Sequence, residues 1–337
     1  MALSLERRVF LQSLAAGTAA LSLPCFASAE EQKMSKKTFT YKTVGKCEIK
    51  ADVYGASEEV ARPVVIWIHG GALIMGDRRG IDTALRDRLL KAGYLVVSID
   101  YRLAPETKLP AILEDVEDAC RWVHEKGPAL FHAATKKLAV MGGSAGGYLT
   151  LTTGYRAEPR PTVLVSFWGY GDIAGAWYSQ PDPFYRRSPL VSKEEAYQVV
   201  GGPVLSEMTG KGKRQRFYLY CRQQGIWPKE VAGHDPDREP KAFDPFCPIR
   251  NVSAKYPPTL LIHGTKDTDV PYEQSAEMAS QSYHSGEFGA LPRLRAAAAK
   301  LRAQHHPENF AAGGFERWKP LLVAVPARGR CMPCLHR

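Results

Sequence analysis

The chain has 337 residues, 45% of them hydrophobic and 24% charged, with a formal net charge of +10. That length can bury one large core or two modest ones, and the composition is that of a globular protein rather than a disordered or collagen-like one. The charge excess is concentrated: Gly289 to Arg337 holds seven Arg and two Lys against only Glu308 and Glu316. The remaining body shows no basic stripe with interleaved aromatics, so a nucleic-acid partner is not expected.

The N-terminus reads as an export signal over residues 1–29. Arg7-Arg8-Val9-Phe10-Leu11 precedes an apolar stretch from Leu14 to Phe26, and Ala27-Ser28-Ala29 offers a small-x-small cleavage site before Glu30. Adjacent arginines followed by Phe-Leu resemble a twin-arginine signal, which implies a periplasmic or extracellular location. The apolar stretch is short and broken by Gly17 and Pro24, and no other segment is long enough to cross a bilayer, so stable membrane insertion is not expected. Beyond the signal lie Cys47, Cys120, Cys221, Cys247, Cys331 and Cys334, whose spacing suggests no dense disulfide framework. Cys120 is expected on a buried helix face. Cys331-Met332-Pro333-Cys334 has redox-motif spacing but lacks the flanking strand and helix.

Residues 38–44 and 46–53 alternate apolar and polar side chains around Gly45-Lys46, the pattern of an edge hairpin. Pro63 to Ile68 is a solid apolar run and predicts a buried strand. Ile81 to Ala92 has helical spacing and stops at Gly93. Tyr94 to Ile99 predicts a second buried strand, and Pro110 to Glu125 a helix ending before Gly127-Pro128. Lys137 to Met141 is a third strand, followed by a helix to about Tyr155. Thr162 to Phe167 and Thr259 to Ile262 complete the set. Continuous apolar strands alternating with amphipathic helices imply a mostly parallel sheet with helices on both faces. Between Gly169 and Val252 the alternation breaks. This stretch is rich in aromatics, Pro and Gly and too long for a simple connection, so it reads as a cap over the strand ends, about residues 170–252. At least half of its aromatics are expected to form the cap's own core.

Chemistry concentrates at the strand ends, where active sites of such sheets lie. After the third strand comes Met141-Gly142-Gly143-Ser144-Ala145-Gly146-Gly147. A strand that turns into a helix through Gly-x-Ser-x-Gly bends tightly at the serine and lifts its Oγ above the sheet beside unpaired helix N–H groups. After the first buried strand comes His69-Gly70-Gly71-Ala72, whose glycines let backbone N–H groups approach a substrate oxygen. With the N–H of Ala145 they would form an oxyanion hole. Asp100-Tyr101-Arg102-Leu103-Ala104-Pro105-Glu106 follows the second strand, and His263-Gly264-Thr265-Lys266-Asp267-Thr268-Asp269-Val270-Pro271 follows the fifth.

These four motifs, in this order, resemble the α/β-hydrolases of carboxylesterase type with an HGG oxyanion motif, similar to the hormone-sensitive-lipase-like and feruloyl-esterase-like groups. The resemblance covers about residues 38–283. It implies an α/β-hydrolase fold with a cap insertion, with Ser144 as nucleophile and Asp267 orienting the catalytic histidine. It also implies an oxyanion hole from Gly70, Gly71 and Ala145. Asp269 competes for the acid role, but Gly-Thr-x-Asp is the family's placement. His69 and His263 are expected to be structural or orienting.

The C-terminus departs from the pattern. The family carries its histidine in a turn after one more strand, and no such turn follows Tyr283. Residues 289–337 read as a basic tail not shaped by the fold, as an out-of-frame gene end would be. His284 lies too near a helix end, and His336 too near the terminus. Of His305 and His306, at a suitable distance from Asp267, His306 is the candidate base. The function expected is an exported serine hydrolase that cleaves carboxylic esters through an acyl-enzyme, with a small-molecule ester as substrate and no cofactor or metal. A prolyl-oligopeptidase-like peptidase is disfavoured because no propeller-length region precedes the domain. A catalytically impaired hydrolase fold acting as a binding protein is the rival that the atypical tail raises.

Overall fold

The computed structural model describes residues 35–56, 60–208 and 214–284. The expected export signal, the basic tail, Cys331, Cys334 and the side chain of His284 lie outside the described residues, as do His305, His306 and His336. No helix among the described residues is long and apolar enough to cross a membrane.

The hairpin forms from β1 (Lys36–Val44) and β2 (Cys47–Tyr54), turning at Gly45. Next come β3 (Arg62–Ile68), α1 (Thr83–Lys91), β4 (Leu95–Ile99), α2 (Leu109–Phe131), β5 (Ala133–Gly143), α3 (Ala145–Arg156) and β6 (Val163–Phe167). The cap region carries the short helices α4 (Ala176–Ser179), α5 (Lys193–Tyr197), α6 (Gln215–Gln224) and α7 (Trp227–Ala232). The described chain ends with β7 (Thr259–Ile262) and α8 (Glu273–His284). The seven strands form one sheet in the order β1-β2-β4-β3-β5-β6-β7, parallel from β4 to β7. This is the mostly parallel sheet that the apolar strand runs predict, in the α/β-hydrolase arrangement that the resemblance implies.

Register decides where the functional loops emerge. Ile68 pairs with Ile99 on one side and Gly142 on the other, Gly143 pairs with Phe167, and Phe167 with Ile262. The strands therefore end level, and residues 69, 100, 144, 168 and 263 leave the sheet along one edge. Val64, Ile66 and Ile68 are buried on one face and Val65, Trp67 and Val96 on the other, because helices cover both faces of the sheet.

Two boundaries differ from the sequence expectation by a full turn or more of chain, the end of α2 and the start of β5. Helix α2 runs through Gly127-Pro128 to Phe131, where His132 takes a left-handed conformation and returns its N–H to Gly127 O. An interior proline removes one helix hydrogen bond. Here the continued turn buries Phe131 against Phe39 and Trp122, with ring centroids 5.9 and 5.5 Å away. Burying a large apolar side chain contributes roughly 1.5–3 kcal/mol, enough to offset a bond lost near a helix end. Strand β5 starts at Ala133, four residues early, because Ala133 pairs with Arg62 across an irregularity in the ladder.

Cys120 is buried on α2 as expected, and Cys47, Cys120, Cys221 and Cys247 are free thiols. The Asp100–Glu106 segment is a tie between layers. Arg102 makes a two-pronged contact with Asp115 of α2, 2.7 Å on each prong, and Lys42 of β1 reaches the same carboxylate at 2.7 Å. Glu106 binds Arg214 and the Gly201 N–H of the cap. Asp115 is fully buried and Arg102 nearly so. Removing one partner of a buried pair leaves an uncompensated charge, so Asp115→Ala is expected to cost about 3–5 kcal/mol, read from the urea unfolding midpoint.

Candidate active site

Ser144 sits between β5 and α3 with φ 55° and ψ −123°, a conformation L-residues rarely adopt. Three features over-determine it. Ser144 N–H donates to Phe167 O at 2.9 Å, and Ser144 O accepts from Tyr148 N–H at 2.9 Å. Gly146 packs so tightly under the end of β3 that any Cβ would collide with Ile68 O. Ala145 opens α3, so its N–H is one of the orphan groups at a helix N-terminus and lies next to the serine.

The loop after β3 approaches from the other side. A Cβ on Gly70 would stand 3.4 Å from Ser144 Cβ. Two carbonyls of this loop are anchored: Tyr101 OH donates to His69 O at 3.0 Å, and the His69 ring Nδ1 lies 2.7 Å from Gly70 O. In a trans peptide the C=O and N–H point opposite ways. Holding the His69 and Gly70 carbonyls therefore turns the N–H groups of Gly70 and Gly71 to the other side. A third anchor is Trp227 Nε1, which donates to Ala72 O at 3.0 Å. Gly71 itself needs φ 111°, with Met75 O where a Cβ would be.

His69 is buried, stacked on Tyr101 at 4.2 Å, and burial pushes its pKa down to about 4. It is a neutral Nδ1–H donor braced beneath the loop, in line with the orienting role expected of it. His263 is braced as well, with Nδ1 2.7 Å from Ser275 Oγ and Nε2 3.0 Å from Val270 O.

Asp267 and Asp269 separate by what they hold. Asp267 Oδ1 accepts the backbone N–H groups of Asp269 at 2.9 Å and Val270 at 3.0 Å, and Oδ2 stands 3.6 Å from His263 Nε2. Asp269 Oδ1 faces the cap, taking hydrogen bonds from Tyr218 OH at 2.6 Å, Tyr185 OH at 2.8 Å and Arg222 Nη1 at 3.2 Å. Burial, then the Asp269 carboxylate, keep both phenols well above their ordinary pKa, so they stay protonated donors. Among the described residues no histidine ring hydrogen-bonds Ser144 Oγ, and none of them groups three ligands fit to hold a metal. Sequence pattern alone places Tyr101 only in its motif and Tyr185, Tyr218 and Trp227 only among the cap aromatics. Arg222 is one of seven arginines between residues 170 and 252, and no local pattern sets it apart from the others.

The BD-FAE family model matches residues 51–172 and 198–281, more than half of the chain. This chain belongs to the BD-FAE family. It is an esterase-like α/β hydrolase, and the unmatched residues 173–197 of this BD-FAE member fall in the cap region. Solved structures share the fold. A Staphylococcus aureus protein of unknown function aligns with TM-score 0.58 and 20% identity, covering 73% of this chain and 85% of that one. An α/β hydrolase superfamily protein from Enterococcus faecalis aligns at 0.56 and 22%, with the same coverage. The esterase of the archaeon Pyrobaculum calidifontis aligns at 0.53 and 24%, covering 76% of this chain and 73% of that one. In sequence, the chain is 34% identical over 306 residues to the non-reducing polyketide synthase atr1 of Stereocaulon alpinum, covering 79% of this chain. It is 28% identical over 330 residues to the non-reducing polyketide synthase adrD of Penicillium rubens, covering 83%. The chain spans only 12% and 13% of the length of these two relatives.

The low pKa of His69 has a stability consequence. Between about pH 6.5 and 4 the unfolded chain binds a proton at this residue and the folded chain does not. Stability from this site is therefore complete above pH 6.5 and falls as pH drops towards 4. Urea unfolding of wild type and His69→Gln across that window is expected to show the steeper acid loss in wild type.

Proposed function

We propose that this chain is an exported serine hydrolase that cleaves carboxylic esters through an acyl-enzyme. The observation that carries the reading is the half-buried Ser144 in its strained turn, flanked by the α3 N-terminus and by two peptide N–H groups aimed by anchored carbonyls. In the reaction a histidine base takes the Ser144 Oγ proton as the oxygen attacks the ester carbonyl carbon. The negative charge that develops on the carbonyl oxygen is met by the N–H groups of Gly70, Gly71 and Ala145, donors that need no reorganisation. The protonated base then gives its proton to the departing alcohol, and water repeats the sequence to release the acid. Asp267 orients the base and stabilises its cationic form. Its Oδ1 is fixed by the backbone, and among the described residues its Oδ2 accepts no hydrogen bond. The base assigned is His306. Asp267 is preferred to Asp269 for the acid role because Asp269 Oδ1 takes its hydrogen bonds from the cap residues Tyr185, Tyr218 and Arg222, whereas Asp267 Oδ1 is held by its own loop.

Export belongs to this reading through Arg7-Arg8 and the Ala27-Ser28-Ala29 site. A second substrate class is an acyl thioester with a polyketide-type acyl group. It uses the same acyl-transfer chemistry and is favoured by the likeness to atr1 and adrD.

A p-nitrophenyl ester chain-length series, with one acyl group also offered as its thioester, tests the proposal. Turnover is expected to fall on the order of 10⁶-fold in Ser144→Ala and about 10⁴-fold in Asp267→Asn. Undiminished turnover in Ser144→Ala would refute the assignment of the nucleophile.

A further inference from the structure

The cap is tied to both catalytic loops by one continuous cluster. Arg222 of α6 is almost wholly buried. Its guanidinium lies over the rings of Tyr178 at 4.7 Å, Tyr185 at 4.8 Å and Trp177 at 5.4 Å, and it pairs with Asp182. Tyr178 is stacked between Trp177 and Trp227, both at 3.9 Å and 16°. Trp227 then holds Ala72 O on the loop after β3. At the other end, Arg222 Nη1 and Nη2 donate to the backbone oxygen of Asp269 at 3.2 and 3.3 Å, and Nη1, Tyr185 and Tyr218 hold its carboxylate.

The peptide joining Asp269 to Val270 is the decisive element. Its oxygen is held by Arg222, and its N–H, on the opposite side of the trans plane, donates to Asp267 Oδ1. The preceding N–H, that of Asp269, donates to the same oxygen. Pulling on one side of this plane aims the other side at Asp267. A buried arginine is costly to desolvate, and here ion pairs to Asp182 and Asp269 and bonds to a backbone carbonyl offset that cost.

We propose that Arg222, Tyr185 and Tyr218 are positioning residues, through which the cap fixes the Asp267 carboxylate. The consequence for turnover rests on the serine-esterase reading above, whereas the clamp itself does not. The cap then acts on the chemistry from behind the acid as well as covering the strand ends. A cap that merely formed a wall would leave the acid loop indifferent to these side chains.

The test compares full-length wild type, Tyr185→Phe/Tyr218→Phe, Arg222→Lys and Arg222→Met. The tyrosine pair keeps every ring and removes only two donors, so it remains informative if Arg222→Met fails to fold. Residue-resolved hydrogen exchange at the Asp269 and Val270 amides reads the clamp whether or not the protein turns over an ester. Exchange at these amides is expected to rise about tenfold in the tyrosine pair, the equivalent of one to two hydrogen bonds, while amides of β3 and β5 stay unchanged. With p-nitrophenyl esters, kcat is expected to fall about tenfold with KM within about twofold, and Arg222→Lys is expected not to restore it, because one ammonium cannot span a carbonyl and two carboxylates. Unchanged exchange at both amides in the tyrosine pair and in Arg222→Lys overturns the clamp. A rise in KM at constant kcat also overturns it, assigning these residues to substrate binding instead. An inactive wild type with the exchange result intact overturns the esterase reading and leaves the clamp standing.

Discussion

Everything in this site depends on one strained backbone turn. Ser144 is held at φ 55° because β5 must become α3 without an intervening loop, while α3 packs against the end of β3. Strain of this kind costs on the order of 1–3 kcal/mol and persists only where its surroundings over-determine it. Here they do: the ladder bond from Ser144 to Phe167, the bond from Tyr148 and the contact of Gly146 with Ile68 leave the turn no alternative. The same closeness brings the Gly70 loop within reach of the serine, so the proposed nucleophile and its proposed oxyanion donors follow from one packing decision.

A second principle recurs around that turn. The groups proposed to do chemistry are set by fixing the far side of a peptide plane. Tyr101 and the His69 ring hold carbonyls so that the Gly70 and Gly71 N–H groups face away from them. Arg222 holds the Asp269 carbonyl so that the Val270 N–H faces Asp267. In each case a buried side chain acts on a backbone dipole, and the dipole acts at the site. Such preorganised donors cost no reorganisation when charge develops.

The sheet was legible because strands covered on both faces must be apolar throughout, as Val64 to Ile68 and Val96 to Ile99 are outside the single Ser98. Ser144 was legible because only small residues fit around so tight a bend. What escaped depends on contacts distant in sequence. The run of α2 past Pro128 follows from Phe131 meeting Phe39, about ninety residues away, which no local pattern encodes. The cap helices α4, α5 and α7 span one turn or little more, too short for a 3.6-residue period to register. The two aspartates of the acid loop are alike in local sequence. Beyond the Gly-Thr-x-Asp placement, their surroundings are told apart by Tyr185, Tyr218 and Arg222, the nearest of them 47 positions away.

The most direct test of the central claim is the mass of the protein after exposure to a fluorophosphonate. This reagent phosphonylates a serine that is both nucleophilic and backed by oxyanion donors. The account predicts one adduct, on the peptide containing Ser144 and absent in Ser144→Ala. Folded wild-type protein that takes up no adduct, or takes it up on another serine, would contradict it.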